Sequence, residues 1–390
     1  MKAGLVYVVI IASLCLSCHG KRTSGEIVYE NGVEVVLNRA EPVRLKGEPS
    51  TLILEQVLAI DTEDDAIAAL GVTDIHGFDV DGDGNILILV PPTGPRNCVH
   101  KLSPEGKLLA SFGIIGQGPH EMEYPNEILA NDTGEIWVLE SPRNKIHVFD
   151  GEGKPIAEKS PVKFESIVPL ANGRHVVTRL NAEDLTQRYL SLAIELYDPE
   201  FRSAKELDRF ERVANRTVHE KVPQPYVNGI GFVFQAKATR EFIYVGNSDR
   251  GYELLVFDLE GRLVRRIRKE FRPVPVAEEY KKAHLKDYLA FMPEYAKKIY
   301  FPDHWHPFRS FFPDEEGRLF VMTYGPGGRP GEFVYDIFSK DGVNMARTSL
   351  AAFHGGNGHL LARVRGDRLY AVQEKPTGFK KLAVYRMIWK

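Results

Sequence analysis

Gly134-Glu135-Ile136-Trp137-Val138-Leu139, followed by Val148-Phe149-Asp150-Gly151-Glu152-Gly153, is the stretch that decides the fold. It joins a Gly turn, a short apolar strand and an aromatic-Asp-Gly turn. The same pattern recurs at Gly84–Leu89 with Lys101–Gly106, and at Glu241–Val245 with Val256–Gly261. A repeat of about 40–50 residues cannot bury its apolar face alone, so its recurrence predicts a stacked array or a closed propeller.

The number of repeats indicates how the ring closes. Full repeats cover roughly residues 72–115, 124–163, 164–212, 228–272 and 306–352, and a shortened one ends the chain. The last has room for about three strands, whereas Leu52–Ile60 is a strand candidate without a repeat. Pairing that strand into the final blade would leave no open sheet edge. We therefore predict an all-β, six-bladed propeller over residues 50–390.

One segment departs from the repeat. Val276–Leu289 is rich in helix formers with apolar residues at helical spacing, and Pro273, Pro275 and Pro293 flank or interrupt it. The pattern predicts a short helical insertion within residues 273–305, on the rim between blades 4 and 5.

The N-terminus predicts export. Lys2 precedes an apolar stretch, Gly4–Leu16, that is too short to span a bilayer and reads as a secretory signal. Leu16-Ser17-Cys18 resembles a bacterial lipobox, which implies lipidation of Cys18 and a cell-envelope location; the alternative is a plain signal peptide cleaved nearby. Residues 1–18 are then the signal, and residues 19–49 a tether with a hairpin across Asn31-Gly32.

Charge and cysteine content exclude some partners. Lys and Arg number 50 against 53 Asp and Glu, so no strong basic field exists to attract nucleic acid. The basic stretch Arg262–Lys269 alternates with apolar residues, which favours a solvated outer strand over an anionic docking patch. After loss of Cys15 and lipidation of Cys18, Cys98 has no partner for a disulfide. We expect a monomer that contacts the membrane only through its lipid.

The loop Gly116-Gln117-Gly118-Pro119-His120-Glu121-Met122, with the strands after it, resembles NHL-type six-bladed propellers, specifically lipoprotein propellers of Gram-negative bacteria. In that family the loop reads Gly-x-Gly-Pro-Gly-Glu and then an aromatic residue, so His120 replaces a Gly and Met122 the aromatic. The resemblance implies a binding scaffold or, as in some members, a metal-dependent lyase or hydrolase. The fold itself does not choose between these.

Polar residues near the first strand of each blade should converge on the central channel. These candidates are His76, Glu127, Glu165, Asn228 and His359. Together they would bind a divalent metal or simply form a solvated polar channel.

A second candidate is the cluster Asp303–Arg309. His304 and His306 flank Trp305 at strand period, with Arg309 nearby, a face suited to a metal or a stacked sugar-like ligand. The alternative is a rim loop packed beneath the insertion. The aromatic residues of the insertion either form the insertion's own core or line a ligand cleft.

Asp79–Asn85 matches the start of a calcium loop, but Val90 stands where the loop requires Glu, so a structural turn is favoured. We expect no cofactor. If the protein does bind a metal ion, we expect Ca²⁺ or Zn²⁺. The preferred function is recognition of a peptide, glycan or partner protein. The alternative is a metal-dependent lyase or hydrolase with its site at the channel mouth.

Overall fold

Successive β-sheets along the chain form a ring around a central channel in the computed structural model. The structure describes residues 25–92, 96–131, 133–181, 189–213, 227–291, 293–296, 298–329, 331–351 and 361–390. In these ranges six antiparallel blades are present, each with its first strand innermost. Contacts between inner strands join blades 1 and 2, and run from blade 3 through blades 4, 5 and 6 back to blade 1.

The elements before blade 1 are β1 (Glu26–Glu30), β2 (Val33–Asn38), β3 (Leu52–Asp61) and the short helix α1 (Asp65–Ala69). Blade 1 contains β4 (Gly77–Val80), β5 (Ile86–Leu89), β6 (Asn97–Leu102) and β7 (Leu108–Ile114). Blade 2 contains β8 (Glu127–Ala130), β9 (Ile136–Glu140), β10 (Lys145–Phe149) and β11 (Pro155–Lys159). Blade 3 contains β12 (Ser166–Pro169), β13 (His175–Asn181), β14 (Tyr189–Tyr197) and β15 (Ala204–Val213).

The two-residue strand β16 (Val227–Asn228) precedes blade 4, which contains β17 (Phe234–Ala238), β18 (Phe242–Asn247), β19 (Glu253–Asp258) and β20 (Leu263–Lys269). The insertion contains α2 (Glu278–Phe291), α3 (Pro293–Ala296) and β21 (Ile299–Tyr300), which pairs with β16. Blade 5 contains β22 (Ser310–Pro313), β23 (Leu319–Pro326), β24 (Glu332–Phe338) and β25 (Asn344–Ala351). Blade 6 contains β26 (Ala362–Arg365), β27 (Arg368–Glu374) and β28 (Lys380–Trp389).

The N-terminal strand β3 closes the ring, as predicted. It pairs antiparallel with β28, from Asp61 opposite Lys381 to Leu52 opposite Trp389, and so supplies the fourth strand of blade 6. The Ser50 amide also donates to the Lys390 carbonyl at 2.9 Å. The two ends of the propeller are therefore held by one antiparallel ladder, with an irregularity between Val384 and Tyr385, and β28 is not an edge strand. The helical insertion between blades 4 and 5 is confirmed by α2.

The hairpin β1–β2 extends blade 4. Asn31 and Gly32 adopt positive φ values of 52° and 81°, as a tight hairpin turn requires. β2 then pairs in parallel with β20, so the sheet of blade 4 has six strands. The sequence had suggested a solvated edge for β20, but the hairpin covers that edge and its carboxylates bind the arginines: Glu34 binds Arg265, and Glu30 binds Arg268.

The hydrophobic core lies between the blades. All four residues of β5 are buried because both faces of its sheet are packed. One cluster joins Leu87 and Cys98 of blade 1 to Ile128 of blade 2 and to Tyr370 and Leu382 of blade 6. Each blade thus depends on its neighbours for burial. Within the described ranges, none of the helices has the length and apolar character needed to cross a membrane.

Candidate functional site

A cavity of about 1060 Å³ occupies one end of the central channel, and all six blades line it. In each blade the lining starts within the inner strand and continues into the turn after it, as from Asp79 to Gly84 in blade 1 and from Glu127 to Glu135 in blade 2. The cavity therefore opens at the end of the ring where the inner strands finish. We call it the funnel, and its base consists of the lining residues that lie farthest from those turns.

Strand alternation explains why charged side chains face the funnel. In β17, Phe234 and Ala236 are buried in the core between blades, so Lys237 points to the opposite side and lines the cavity. In β26, Ala362 belongs to the core and Val364 packs against it, and the intervening Arg363 lines the cavity in the same way. The packing of the blades therefore fixes both cations at the channel wall.

Asp79 holds three blades together at the base of the funnel. Arg363 Nε donates to Asp79 Oδ1 at 3.0 Å, and the Ala130 amide donates to Asp79 Oδ2 at 2.9 Å. The Val80 amide also donates to Oδ1, at 2.9 Å. With side-chain exposure of only 11% for Asp79, these bonds satisfy a buried carboxylate and fix the position of the Arg363 guanidinium.

The turn after Asp79 is satisfied by donors of the protein itself. Asp81 Oδ1 accepts the amides of Asp83 at 3.0 Å and Asn85 at 2.9 Å. Lys101 Nζ lies 2.9 Å from Asp81 Oδ2. These contacts are typical of a structural turn at Asp79–Asn85.

Glu127 and Lys237 face the funnel from blades 2 and 4. Among the described residues, neither side chain has a hydrogen-bond or ion-pair partner within 4.0 Å. Burial raises the pKa of Glu127 from 4.5 to about 7, while the nearby Lys237 and Arg363 lower it and Asp79 raises it. Burial lowers the pKa of Lys237 from 10.5 to about 8. Perturbed groups that face a cavity identify it as a candidate functional site.

Paired charges surround the mouth of the funnel. Arg365 Nη1 lies 3.0 Å from Glu315 Oε1, and its Nε donates to the Asp81 carbonyl at 3.3 Å. Arg368 Nη1 donates to the Pro104 carbonyl at 3.3 Å. These contacts connect the turns of blades 6, 5 and 1 across their boundaries. They hold these three turns together at one side of the opening.

An aromatic wall lies between blades 2 and 3. Lys159 Nζ is 4.5 Å from the ring centroid of Trp137, and Trp137 Nε1 donates to Glu135 at 2.9 Å. His175 stacks on Phe201 with centroids 4.3 Å apart. Burial lowers the pKa of His175 to about 4, so this imidazole is neutral near pH 7 and serves packing.

Of the channel candidates predicted from the sequence, Glu127 lines the funnel. His76 precedes β4 at the other end of the inner strand, beside the ion pair of Lys380 with Asp74 at 3.1 Å, and burial lowers its pKa. Glu165 is exposed, and the Asn228 side chain accepts the Ile230 amide at 3.1 Å. His359 and Cys18 lie outside the described residues.

The cluster around Trp305 connects the insertion to blade 5. Trp305 stacks on Tyr324 with centroids 4.5 Å apart and meets the Tyr280 ring edge-on at 4.6 Å. The Arg309 guanidinium lies 5.0 Å from the Phe333 ring centroid.

The two histidines of this cluster differ in their contacts. His306 Nε2 donates to the Gly231 carbonyl at 2.9 Å, whereas His304 is exposed. Trp305, His306 and Arg309 therefore contact other residues of the protein. No group of three His, Cys, Asp or Glu in the described part of the chain could hold a metal ion.

The sequence interpretation did not include Asp79, Lys237 and Arg363 among the ligand-binding candidates. The available signal was a charged residue between small or apolar neighbours in a strand expected to be innermost, as in Ala236-Lys237-Ala238 and Ala362-Arg363-Val364. A charged side chain at such a position is costly to bury between two blades, so the channel is its expected environment. The sequence analysis chose residues near the start of each inner strand. Those starts lie toward the end of the channel away from the funnel mouth.

Comparison with known proteins supports the fold. No family model matches the chain, and neither does any curated protein. A structure from Bacteroides fragilis, assigned as an exported protein, aligns with a TM-score of 0.51 and 11% identity over 91% of this chain and 99% of its own. A member of the DUF4221 family from Bacteroides vulgatus aligns with a TM-score of 0.51 and 12% identity over 88% and 100%. Both likenesses concern the propeller fold alone.

Proposed function

We propose that the protein is an exported, lipid-anchored propeller that binds a ligand in the funnel without chemical conversion. The observation that carries this proposal is the pair Glu127 and Lys237, two ionisable side chains that face a cavity of about 1060 Å³ and have no protein partner among the described residues. Both side chains are half-buried. Partial removal of a charged group from water without a partner costs free energy, so its retention favours a role in binding.

The size and position of the funnel support the same proposal. Its volume is at the upper end of ordinary small-molecule pockets, about 300–1,000 Å³. Six blades contribute to it, and contacts such as Arg365 with Glu315 hold the turns at its mouth. A preformed cavity of this kind binds a ligand with little loss of conformational entropy.

The test is to block the funnel without disturbing its base. Asp83 lies exposed in the turn of blade 1 that lines the cavity, so Asp83→Trp places a bulky side chain at the mouth. The protein, fluorescently labelled, is applied to a peptide array and a glycan array. We expect Asp83→Trp to weaken the retained interactions at least tenfold.

The matched control is Glu152→Trp, at a position that is also exposed, in the turn between β10 and β11, and that is not among the funnel's lining residues. It should bind as the wild type does. Interactions that survive Asp83→Trp, or that fall equally in both variants, would show that the ligand binds elsewhere.

The lipid anchor is tested separately. Metabolic labelling with palmitate should mark the wild-type protein and not Cys18→Ala, because that thiol is the acceptor that the lipobox resemblance implies. Equal labelling of the two proteins would eliminate this anchor. The catalytic alternative, a metal-dependent lyase or hydrolase, requires stoichiometric zinc or calcium in protein purified without chelator, which elemental analysis measures directly.

A further inference from the structure

We infer that the funnel recognises a small zwitterion of the amino-acid or short-peptide type, with its ammonium against Glu127 and its carboxylate against Lys237 and Arg363. This inference rests on the proposed function of the funnel as the binding site. It specifies the ligand by the charges at the base of the cavity.

Glu127 supplies the acceptor for an ammonium group. It is the first residue of β8, and its carboxylate has no protein donor among the described residues. The neighbouring carboxylate of Asp79 is already bound by Arg363 and by the amides of Val80 and Ala130. Of the two carboxylates, Glu127 is therefore the one available to a ligand.

Lys237 and Arg363 supply donors for a carboxylate. Arg363 binds Asp79 through Nε, and its two terminal nitrogens have no partner in the described part of the chain. Such a pair of parallel N–H groups matches the two oxygens of a carboxylate. The Lys237 ammonium, from blade 4, adds a third donor, and it has no hydrogen-bond or ion-pair partner among the described residues.

The balance of charge at the base favours a ligand that is neutral overall. The base holds two carboxylates, Asp79 and Glu127, and two cations, Lys237 and Arg363. A simple anion would leave Glu127 unpaired, and a simple cation would leave Lys237 unpaired. Since an unpaired charge is costly even in a half-buried position, a ligand that carries both signs satisfies more of the site than either.

The remaining wall suits a peptide side chain. Ala130, Val168 and Val364, which are partly exposed, line the cavity from blades 2, 3 and 6. Apolar lining with a few placed polar groups is typical of small-ligand sites. The volume exceeds that of a single amino acid, so a short peptide with free ends fills it better.

The experiment is calorimetric titration of the purified protein with the tripeptide Ala-Leu-Ala. Two related probes are the N-acetylated tripeptide and the C-terminal amide. We expect the free tripeptide to bind, and each blocked form to bind at least tenfold more weakly. These titrations use the wild-type protein alone, so they do not depend on whether a variant folds.

Two variants then assign each end of the peptide. Glu127→Gln should weaken binding of the free tripeptide at least tenfold and leave the affinity of the N-acetylated form unchanged. Lys237→Met should weaken the free tripeptide and leave the affinity of the amide unchanged. Lys107→Met, at an exposed position of blade 1, is the control and should bind as the wild type does.

The outcomes separate this inference from the proposed function. The inference of a zwitterionic ligand would be overturned if the blocked peptides bound as well as the free one. It would also be overturned if no probe gave heat up to about 10 mM. If array ligands of another class are then lost in Asp83→Trp, the funnel is still the binding site. If Asp83→Trp affects no ligand, both proposals fail.

Discussion

His120 has a left-handed backbone, with φ of 61°, in the loop that resembles the NHL pattern. A side chain in this conformation costs about 1–2 kcal/mol relative to Gly. We expect His120→Val to be less stable than His120→Gly by about 1–2 kcal/mol, measured by urea unfolding. The backbone amide of residue 120 still donates to Glu158 in both variants. Equal stabilities would show that the loop relaxes instead.

Glu127 should make stability depend on pH. Burial raises its pKa from 4.5 to about 7, so the folded protein binds this proton more tightly than the unfolded chain does. The contribution of Glu127 to the free energy of unfolding is therefore greatest below pH 4.5 and is lost as the pH rises to about 7. Glu127→Gln should remove this decline, as urea unfolding across that range would show. A parallel pH profile in the variant would contradict the perturbed carboxyl.

The control for this measurement is Glu55→Gln, since Glu55 lies exposed on the outer strand β3. Its profile should follow that of the wild type.

The sequence could predict only part of the candidate site. The position of Glu127 near the channel followed from the repeat. Its neighbours Lys237 and Arg363 did not, because which faces of β17 and β26 are buried depends on the packing of adjacent blades.

At the scale of elements, the hairpin β1–β2 is fastened by Asn38. Its side-chain nitrogen donates to the carbonyls of Gly342 at 2.9 Å and Arg268 at 3.2 Å. Its oxygen accepts the Asn344 amide at 2.7 Å. Because the site is 3% exposed, Asn38→Ala leaves buried partners unsatisfied. We expect a loss of about 2–3 kcal/mol in the free energy of unfolding, measured with urea.

The matched control is Asn172→Ala, because Asn172 is exposed and its side chain donates to the Leu259 carbonyl at 3.1 Å. It should cost less than about 0.5 kcal/mol. If the two variants were equally stable, the hairpin would not be fastened to blades 4 and 5 through this residue.

The elements differed in how far the sequence could predict them. The pairing of β3 with β28 followed from a count, since one blade lacked a strand and one strand lacked a blade. The hairpin turn at Asn31-Gly32 was visible in the residues themselves. Its attachment to β20 was not, because the arginines of Arg265–Arg268 are compatible both with water and with the carboxylates Glu30 and Glu34. Only the fold shows which of these the strand meets.

At the scale of the whole molecule, closure of the ring should control the integrity of both core and funnel. Ile60 of β3 belongs to the same core cluster as Cys98 of blade 1 and Leu382 of blade 6. Burial raises the pKa of the Cys98 thiol to about 12, so the closed ring should protect it from thiol reagents. Cys98 therefore reports on closure.

The prediction compares a chain that begins at residue 50 with one that begins at residue 64, each with Cys98 as its only cysteine. The first keeps β3 and should react slowly with Ellman's reagent. The second exposes the edge of β28 and uncovers the core around Leu382, so it should react at least tenfold faster and tend to aggregate. Equal protection of Cys98 would show that three strands suffice for blade 6. The ladder of β3 with β28 would then close the sheet without stabilising the ring.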